Sequence, residues 1–423
     1  MKQLTLIGCL LVSILAGIGI EAEKAQYARA WSWADPLIPF LAALVIWQLS
    51  VGQWRLNRTA LILALNVAVL GLAGIANATA NGTLLNFGRN ATVAFLVYVA
   101  TFNTVRNQRD LKLYSGLVML AAVGVYVLSI PNLIAAWSGG FTNLFYVFGF
   151  IDLNALGFIF VLLFCSSAPR WLNSVKFTQG VAFGGALAVG ALVSFSRSAW
   201  TTLAASALLI TTLRDSRGVK DRVFRFVTLA AAFVVAGLIF NWVAQQLPGA
   251  AQFGQNKVDD YGDDAIGLRW IELTVKPVQE WLDQSLLVVL FGDGVTFQHT
   301  FVANAVWMSG FFGLVSGIAV YVSMGLTALK ATRFHANREV QLAGACYLAM
   351  VVAMFLDDSV TNQKFHSQLI SYLFAGSAGA FSGSFRVPTM RVVPVDPAAE
   401  VSRKQMARRG QSPSLSLTPE PGA

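Results

Sequence analysis

Apolar residues occupy this chain in long blocks separated by short polar clusters. Twelve blocks can be marked, near 3–20, 34–51, 59–77, 84–105, 113–130, 149–168, 177–193, 199–213, 226–246, 303–329, 340–356 and 366–384. Most are close to the roughly 17–25 residues that cross the hydrocarbon layer of a bilayer. None alternates apolar and polar positions with the period of two that a membrane barrel needs. Because an open backbone group finds no water inside a bilayer, each block predicts a helix. The predicted fold is therefore all-α, a polytopic transmembrane helical bundle of about 12 helices over residues 1–384. Block 199–213 is short and should borrow residues from its flanks. The first block, preceded by Lys2, also fits a cleaved signal peptide, which would flip nothing downstream.

Two polar stretches interrupt the pattern in different ways. Residues 247–302, between the ninth and tenth blocks, hold Pro248, Pro277, an acidic run and the amphipathic piece "WIELTVKPVQEWL". They predict a small folded cap. The tail, residues 385–423, holds six of the chain's twelve prolines together with serine and arginine. That composition cannot bury a core and predicts disorder.

Composition changes the picture little, whereas charge gives it a direction. Of 423 residues, 56% are hydrophobic and 12% charged, with a mean hydropathy of +0.62, outside the range of soluble domains. Sorting the 30 Lys and Arg residues onto alternate sides of the bundle puts 22 on the side of Lys2 and eight on the other. Basic residues gather on the cytoplasmic side of membrane proteins, so both termini are expected there. The 21 carboxylates run the opposite way, 14 outside and seven inside, with Asp259, Asp260, Asp263 and Asp264 in one outer loop. The net charge of +9 is then explained by orientation and by anionic membrane lipids, and no nucleic-acid partner is implied. Cys9, Cys165 and Cys346 fall in apolar blocks without a CxxC pattern and read as small core residues.

The outer side is where chemistry is expected. "VFGFIDLNALGFIF" (147–160) opens the sixth block with Asp152 and Asn154. "SFSRSAW" joins the seventh and eighth and carries Ser196, Arg197, Ser198 and Trp200. "IGLRWIELTVKPVQEW" (266–281) carries Arg269 and Trp270, and "FGDGVTFQHTFVANAVWMSGFFGL" (291–314) carries His299 into the tenth block. An arginine between two membrane segments marks function by default, although a snorkelling side chain at a helix end is the plain alternative for Arg197. Arg269 could instead pair with Glu272, and Arg89, near the outer end of the fourth block, could bind a phosphate or pair with Asp152. Trp31, Trp33, Trp200 and Trp242 suffice as interfacial anchors, with sugar stacking open to Trp200 and Trp270. No compact set of Asp, Glu and His has metal-ligand spacing, and no nucleotide-sugar or DxD signature lies on the cytoplasmic side.

These four stretches, in this order, resemble the O-antigen ligase and O-antigen/exopolysaccharide polymerase superfamily of integral membrane glycosyltransferases, over about residues 147–384. The resemblance implies a bacterial inner-membrane enzyme, without cofactor, working at the periplasmic face. It would transfer a glycan from undecaprenyl pyrophosphate to a sugar hydroxyl, with polysaccharide-export or chain-length proteins as further partners. It assigns Arg197 and Arg269 to the pyrophosphate leaving group, whose charge a guanidinium fork can hold at any pH. It assigns His299 as general base, a task that an ordinary histidine pKa near 6.5 suits. The chain has Thr300 after that histidine where relatives often have asparagine, and His366 is a rival base on the same side. His335 lies in a cytoplasmic loop. Asp152, Asn154, Ser196, Ser198, Trp200 and Arg89 are expected to order or bind substrate. A polymerase is favoured over the ligase that transfers glycan to lipid A-core, because the outer loop is short for so large an acceptor. A flippase for lipid-linked oligosaccharide and a silent export-assembly protein remain as alternatives from other classes.

Overall fold

A computed structural model describes residues 2–16, 34–52, 54–76, 83–138, 153–172, 177–193, 197–213, scattered positions between 220 and 245, and residues 271–293, 301–334, 337–356 and 365–385, with only the backbone described at several helix ends. The described residues form helices and their connections, and no strand occurs among them. Among the described residues, eleven of the twelve apolar blocks coincide with a helix, and most of the remaining block, 226–246, lies outside them. The helices are α1 (Lys2–Leu15), α2 (Ile38–Ser50), α3 (Arg58–Ala76), α4 (Thr83–Thr104), α5 (Gln108–Ser138), α6 (Leu153–Trp171), α7 (Phe177–Val193) and α8 (Arg197–Leu213). After two short helices, α9 (Lys276–Leu282) and α10 (Leu286–Phe291), come α11 (Phe301–Phe334), α12 (Arg338–Leu356) and α13 (Phe365–Ser384). Among the described residues, four stretches are long and apolar enough to cross a membrane, Arg58–Ala76, Gln108–Val127, Val302–Arg333 and Arg338–Phe355. Residues up to Phe385 form one compact unit, and the tail from Arg386 lies outside the described residues.

Hydrophobicity alone would let these helices slide past one another, and small or polar residues fix their registers. Along α13, Gly376, Gly379 and Gly383 share one face and meet α4. A Cβ at Gly379 would strike Thr101 Oγ1 and the Tyr98 carbonyl, and one at Gly383 would strike the Val105 carbonyl. The α13 backbone can lie this close to α4 only because these three α13 positions carry no side chain. Between α3 and α11, Thr59 and Ser323 share a hydrogen bond at 2.9 Å, and Ser316 donates to Asn66 at 2.7 Å. The rising number on one helix matches the falling number on the other, so the pair is antiparallel. In the centre, Ser166 of α6 donates to Ser377 of α13 at 2.9 Å, and Tyr114 of α5 bonds the same hydroxyl at 3.1 Å.

Burial divides the helices by role. The described side chains of α6 and α13 are almost all buried, whereas α3 exposes Leu61, Leu65, Leu72 and Ile75, and α11 exposes Val315, Ile318, Val322 and Leu326. An apolar stripe of that length against water would be costly, and a bilayer removes the cost. Cys9, Cys165 and Cys346 form no disulfide and are buried, as core residues should be.

Hydrogen bonds and ion pairs gather several helix ends at one pole. Lys2 pairs with Asp110 at 3.2 Å and Lys112 with Glu339 at 2.6 Å, while Gln108 donates to the Ser384 carbonyl at 3.3 Å. The Arg55 amide donates to Asn103 at 2.8 Å. This is the basic pole, where α1, α3, α5 and α12 begin and α4 and α13 end.

Candidate functional site

Tracing the registers away from the basic pole brings the ends of the motif-bearing helices together. Helix α5 starts at the basic pole and runs antiparallel to α6, since Ser115 bonds the Ser166 carbonyl and Tyr126 packs on Phe160. The start of α6, which follows Asp152, therefore lies at the opposite, far pole. Helix α7 returns along α6, with Gly184 against Trp171 and Gly190 against Phe160, so α7 ends and α8 begins at the far pole too. Helix α11 ends beside the start of α12, and the pair is antiparallel through Gly344 against Thr332 and Tyr321 against Phe355. The head of α11, next to His299, is thus also at the far pole, as is the head of α13.

Arg197 is the first residue of α8, not a residue of the turn before it. Trp200 explains the local geometry: its indole N–H donates to the Leu192 carbonyl at 2.9 Å. A carbonyl in the last turn of a helix has no partner within that helix, so this bond pins the end of α7 to the first turn of α8. Trp200 therefore ties the first turn of α8, which Arg197 opens, to the last turn of α7. Of the remaining residues singled out by the sequence, Asp152, Ser196, Arg269, Trp270 and His299 lie outside the described residues. Asn154 in α6, Arg197 and Ser198 in α8, and His366 in α13 are described by backbone alone. The acidic run 259–264 and His335 also lie outside the described residues.

The flanks of the His299 segment are held by a feature that the sequence did not single out. Gly292 ends α10 with φ 75°, and Gly310 kinks α11 with φ 68° and ψ −165°. A Cβ at Gly292 would lie 2.5 Å from the Met308 carbonyl carbon and the Ser309 nitrogen, and one at Gly310 would strike the Leu290 carbonyl and the Phe291 nitrogen. Each glycine fits against the backbone of the segment that carries the other. The Asp293 amide then donates to the Trp307 carbonyl at 2.7 Å, and the Trp307 indole donates to the Pro277 carbonyl at 2.8 Å. Trp281, Val306 and Trp307 form a small buried cluster around this clasp. The described part of the predicted cap, from Ile271 to Asp293, is thereby folded onto the head of α11. Seven residues, 294–300, leave from Asp293 and return to Phe301. Trp307 and Phe301 are six helical positions apart, about 9 Å at ~1.5 Å per residue, so the clasp and the start of α11 hold the two flanks of the segment, which itself lies outside the described residues. Both glycines stand in the stretch 291–314 quoted for His299, but no pattern there marks them as a contact.

Arg89 has a partner other than the one considered from the sequence. Its Nη1 lies 3.3 Å from Asp35 Oδ1, and Asp152 is outside the described residues. Asp35 opens a short 3-10 turn, Asp35–Leu37, ahead of α2. Helices α2 and α4 run parallel, because Gln48 also reaches Thr104, at 2.9 Å. The pair therefore lies at the far pole. Among the described residues, no group of three or more His, Cys, Asp or Glu could hold a metal ion. Comparison with known proteins adds no relative: no family model matches the chain, and no curated protein matches it.

Proposed function

We propose that the chain is an integral membrane glycosyltransferase that takes a glycan from a polyprenyl pyrophosphate and places it on a sugar hydroxyl, extending an exopolysaccharide or O-antigen. In this reading the twelve apolar blocks are twelve spans, the basic pole faces the cytoplasm, and the far pole is the outer face. The observation that supports it is the gathering of the heads of α6, α8, α11 and α13, and with them the approaches to Asp152, Arg197, His299 and His366, at the pole opposite the basic residues.

The chemistry follows from the residue types. His299 takes the proton of the acceptor hydroxyl, and the oxygen attacks the anomeric carbon of the donor sugar. The bond from that carbon to the pyrophosphate oxygen breaks, and the electron pair leaves with the polyprenyl pyrophosphate. Arg197 and Arg269 hold the charge that develops there, an effect strengthened where water is excluded. Ser196, Ser198, Asp152 and Asn154 order the donor.

The test compares glycan chain length in a deletion strain complemented with wild type, Arg197→Ala or His299→Ala at equal membrane levels. Single lipid-linked units with the variants, against polymer with wild type, are expected for a polymerase. Long polymer left on its lipid carrier would assign the chain as the ligase instead. Wild-type glycan from both variants would overturn the transfer mechanism.

A further inference from the structure

Arg89 is only half used by the protein. Its Nη1 is taken by Asp35, whereas its Nε and Nη2 are both buried and have no hydrogen-bond partner. In a guanidinium, the Nε–H and the adjacent Nη2–H point the same way and form the side-on fork that matches two oxygens of one phosphate or carboxylate. The unsatisfied atoms are therefore one complete recognition edge. Buried donors are rarely left open in a folded protein, and each one that is open asks for an explanation.

The surroundings hold this edge in place. Asp35, 6% exposed, fixes the guanidinium from one side, while the Arg89 side chain as a whole is 25% exposed. Next along α4, Asn90 accepts a hydrogen bond from the Tyr372 hydroxyl of α13 at 3.2 Å. Arg89 is 15 positions from the end of α4 at the basic pole, roughly 22 Å at ~1.5 Å per residue. In a hydrocarbon layer of about 30 Å this puts the guanidinium beneath the far interface, within a long side chain's reach of headgroup level.

We propose that Arg89, oriented by Asp35, is a binding site for a phosphate oxyanion carried by a lipid at the far face, separate from the residues assigned above to the leaving group. The ligand's two oxygens take the Nε and Nη2 donors while Nη1 stays on Asp35. The neighbouring carboxylate opposes the ligand's charge, which keeps the site weak enough to release what it binds. That opposition also gives the proposal a sign: removing the Asp35 charge strengthens binding, whereas a site for neutral hydroxyl groups, or a purely structural ion pair, would gain nothing from it.

The experiment uses the full chain in nanodiscs and measures binding, so it stands or falls independently of the transfer reaction. Undecaprenyl pyrophosphate is titrated into phosphatidylcholine nanodiscs, inorganic pyrophosphate is added as competitor, and phosphatidylglycerol retention is read by native mass spectrometry. Arg89→Ala is expected to weaken binding of one of these lipids by at least about tenfold, the scale of a lost charge-assisted bidentate contact. Arg89→Lys, which keeps the charge but not the fork, should restore little of it, and Asp35→Asn should tighten it. Loss of undecaprenyl pyrophosphate identifies the lipid-linked donor as the ligand, and loss of phosphatidylglycerol alone identifies a membrane headgroup. Competition by inorganic pyrophosphate shows that the phosphate itself is recognised. Unchanged binding of both lipids in folded Arg89→Lys overturns the proposal, as does an Asp35→Asn variant that binds more weakly than wild type.

Discussion

Replacing Gly310 by alanine tests the clasp that holds the flanks of the His299 segment. At φ 68° and ψ −165° the residue occupies a region that is essentially glycine's own, where another residue costs about 1–3 kcal/mol. The methyl group also has no room, because it would meet the Leu290 carbonyl and the Phe291 nitrogen, backbone atoms that cannot rotate aside. Relief requires α10 to move off α11, at about 1–3 kcal/mol for an overpacked contact. Together the two effects come to about 2–6 kcal/mol. Gly325, in the same helix, is the control: a Cβ there meets nothing within 4 Å, so Gly325→Ala should be neutral or gain up to about 1 kcal/mol from helix propensity. Tryptophan emission during thermal unfolding in detergent is the assay, since Trp281 and Trp307 are buried beside the clasp. Gly310→Ala should red-shift that emission and melt several degrees lower than Gly325→Ala. Indistinguishable emission and melting for the two variants would refute the reasoning.

Three further outcomes are expected. Gly379→Val should separate α4 from α13 and abolish recovery of monodisperse protein in detergent, whereas Gly116→Ala, with open space around its Cβ position, should not. Trp200→Phe loses one hydrogen bond to the Leu192 carbonyl; it should cost about 1 kcal/mol in a melting assay and lower transferase activity without abolishing it, because Arg197 remains but its helix start is less firmly held. If His299 is the base, the single-turnover rate of glycan transfer should fall as pH drops through about 6.5, where an ordinary histidine becomes protonated and can no longer accept a proton. His299→Gln should remove that dependence along with most of the rate.

The helices were legible because hydropathy and length are properties of a continuous stretch of chain. Their ends were less so. The block near 113–130 becomes α5 from Gln108, because Asp110 and Lys112 continue the helix into the basic pole and pair there with Lys2 and Glu339. Charged residues lower a hydropathy average without breaking a helix. The block near 199–213 gained Arg197 and Ser198 at its start, which moves the arginine from turn to helix. Among the described residues, Lys2, Arg55 and Lys112 fall at one pole, the side to which the charge tally assigned them.

By itself the sequence determined that this chain is built from apolar helices, and it singled out Arg197, Arg269 and His299 by charge and by motif. Tertiary structure alone decided the partner of Arg89, because Asp35 is 54 positions away in sequence and meets it only once α2 and α4 run parallel. It alone decided that Gly292 and Gly310 interlock and that the α13 glycines face α4. A glycine's role depends on what approaches the place where its side chain would be, and a pattern along one chain contains no information about a second backbone.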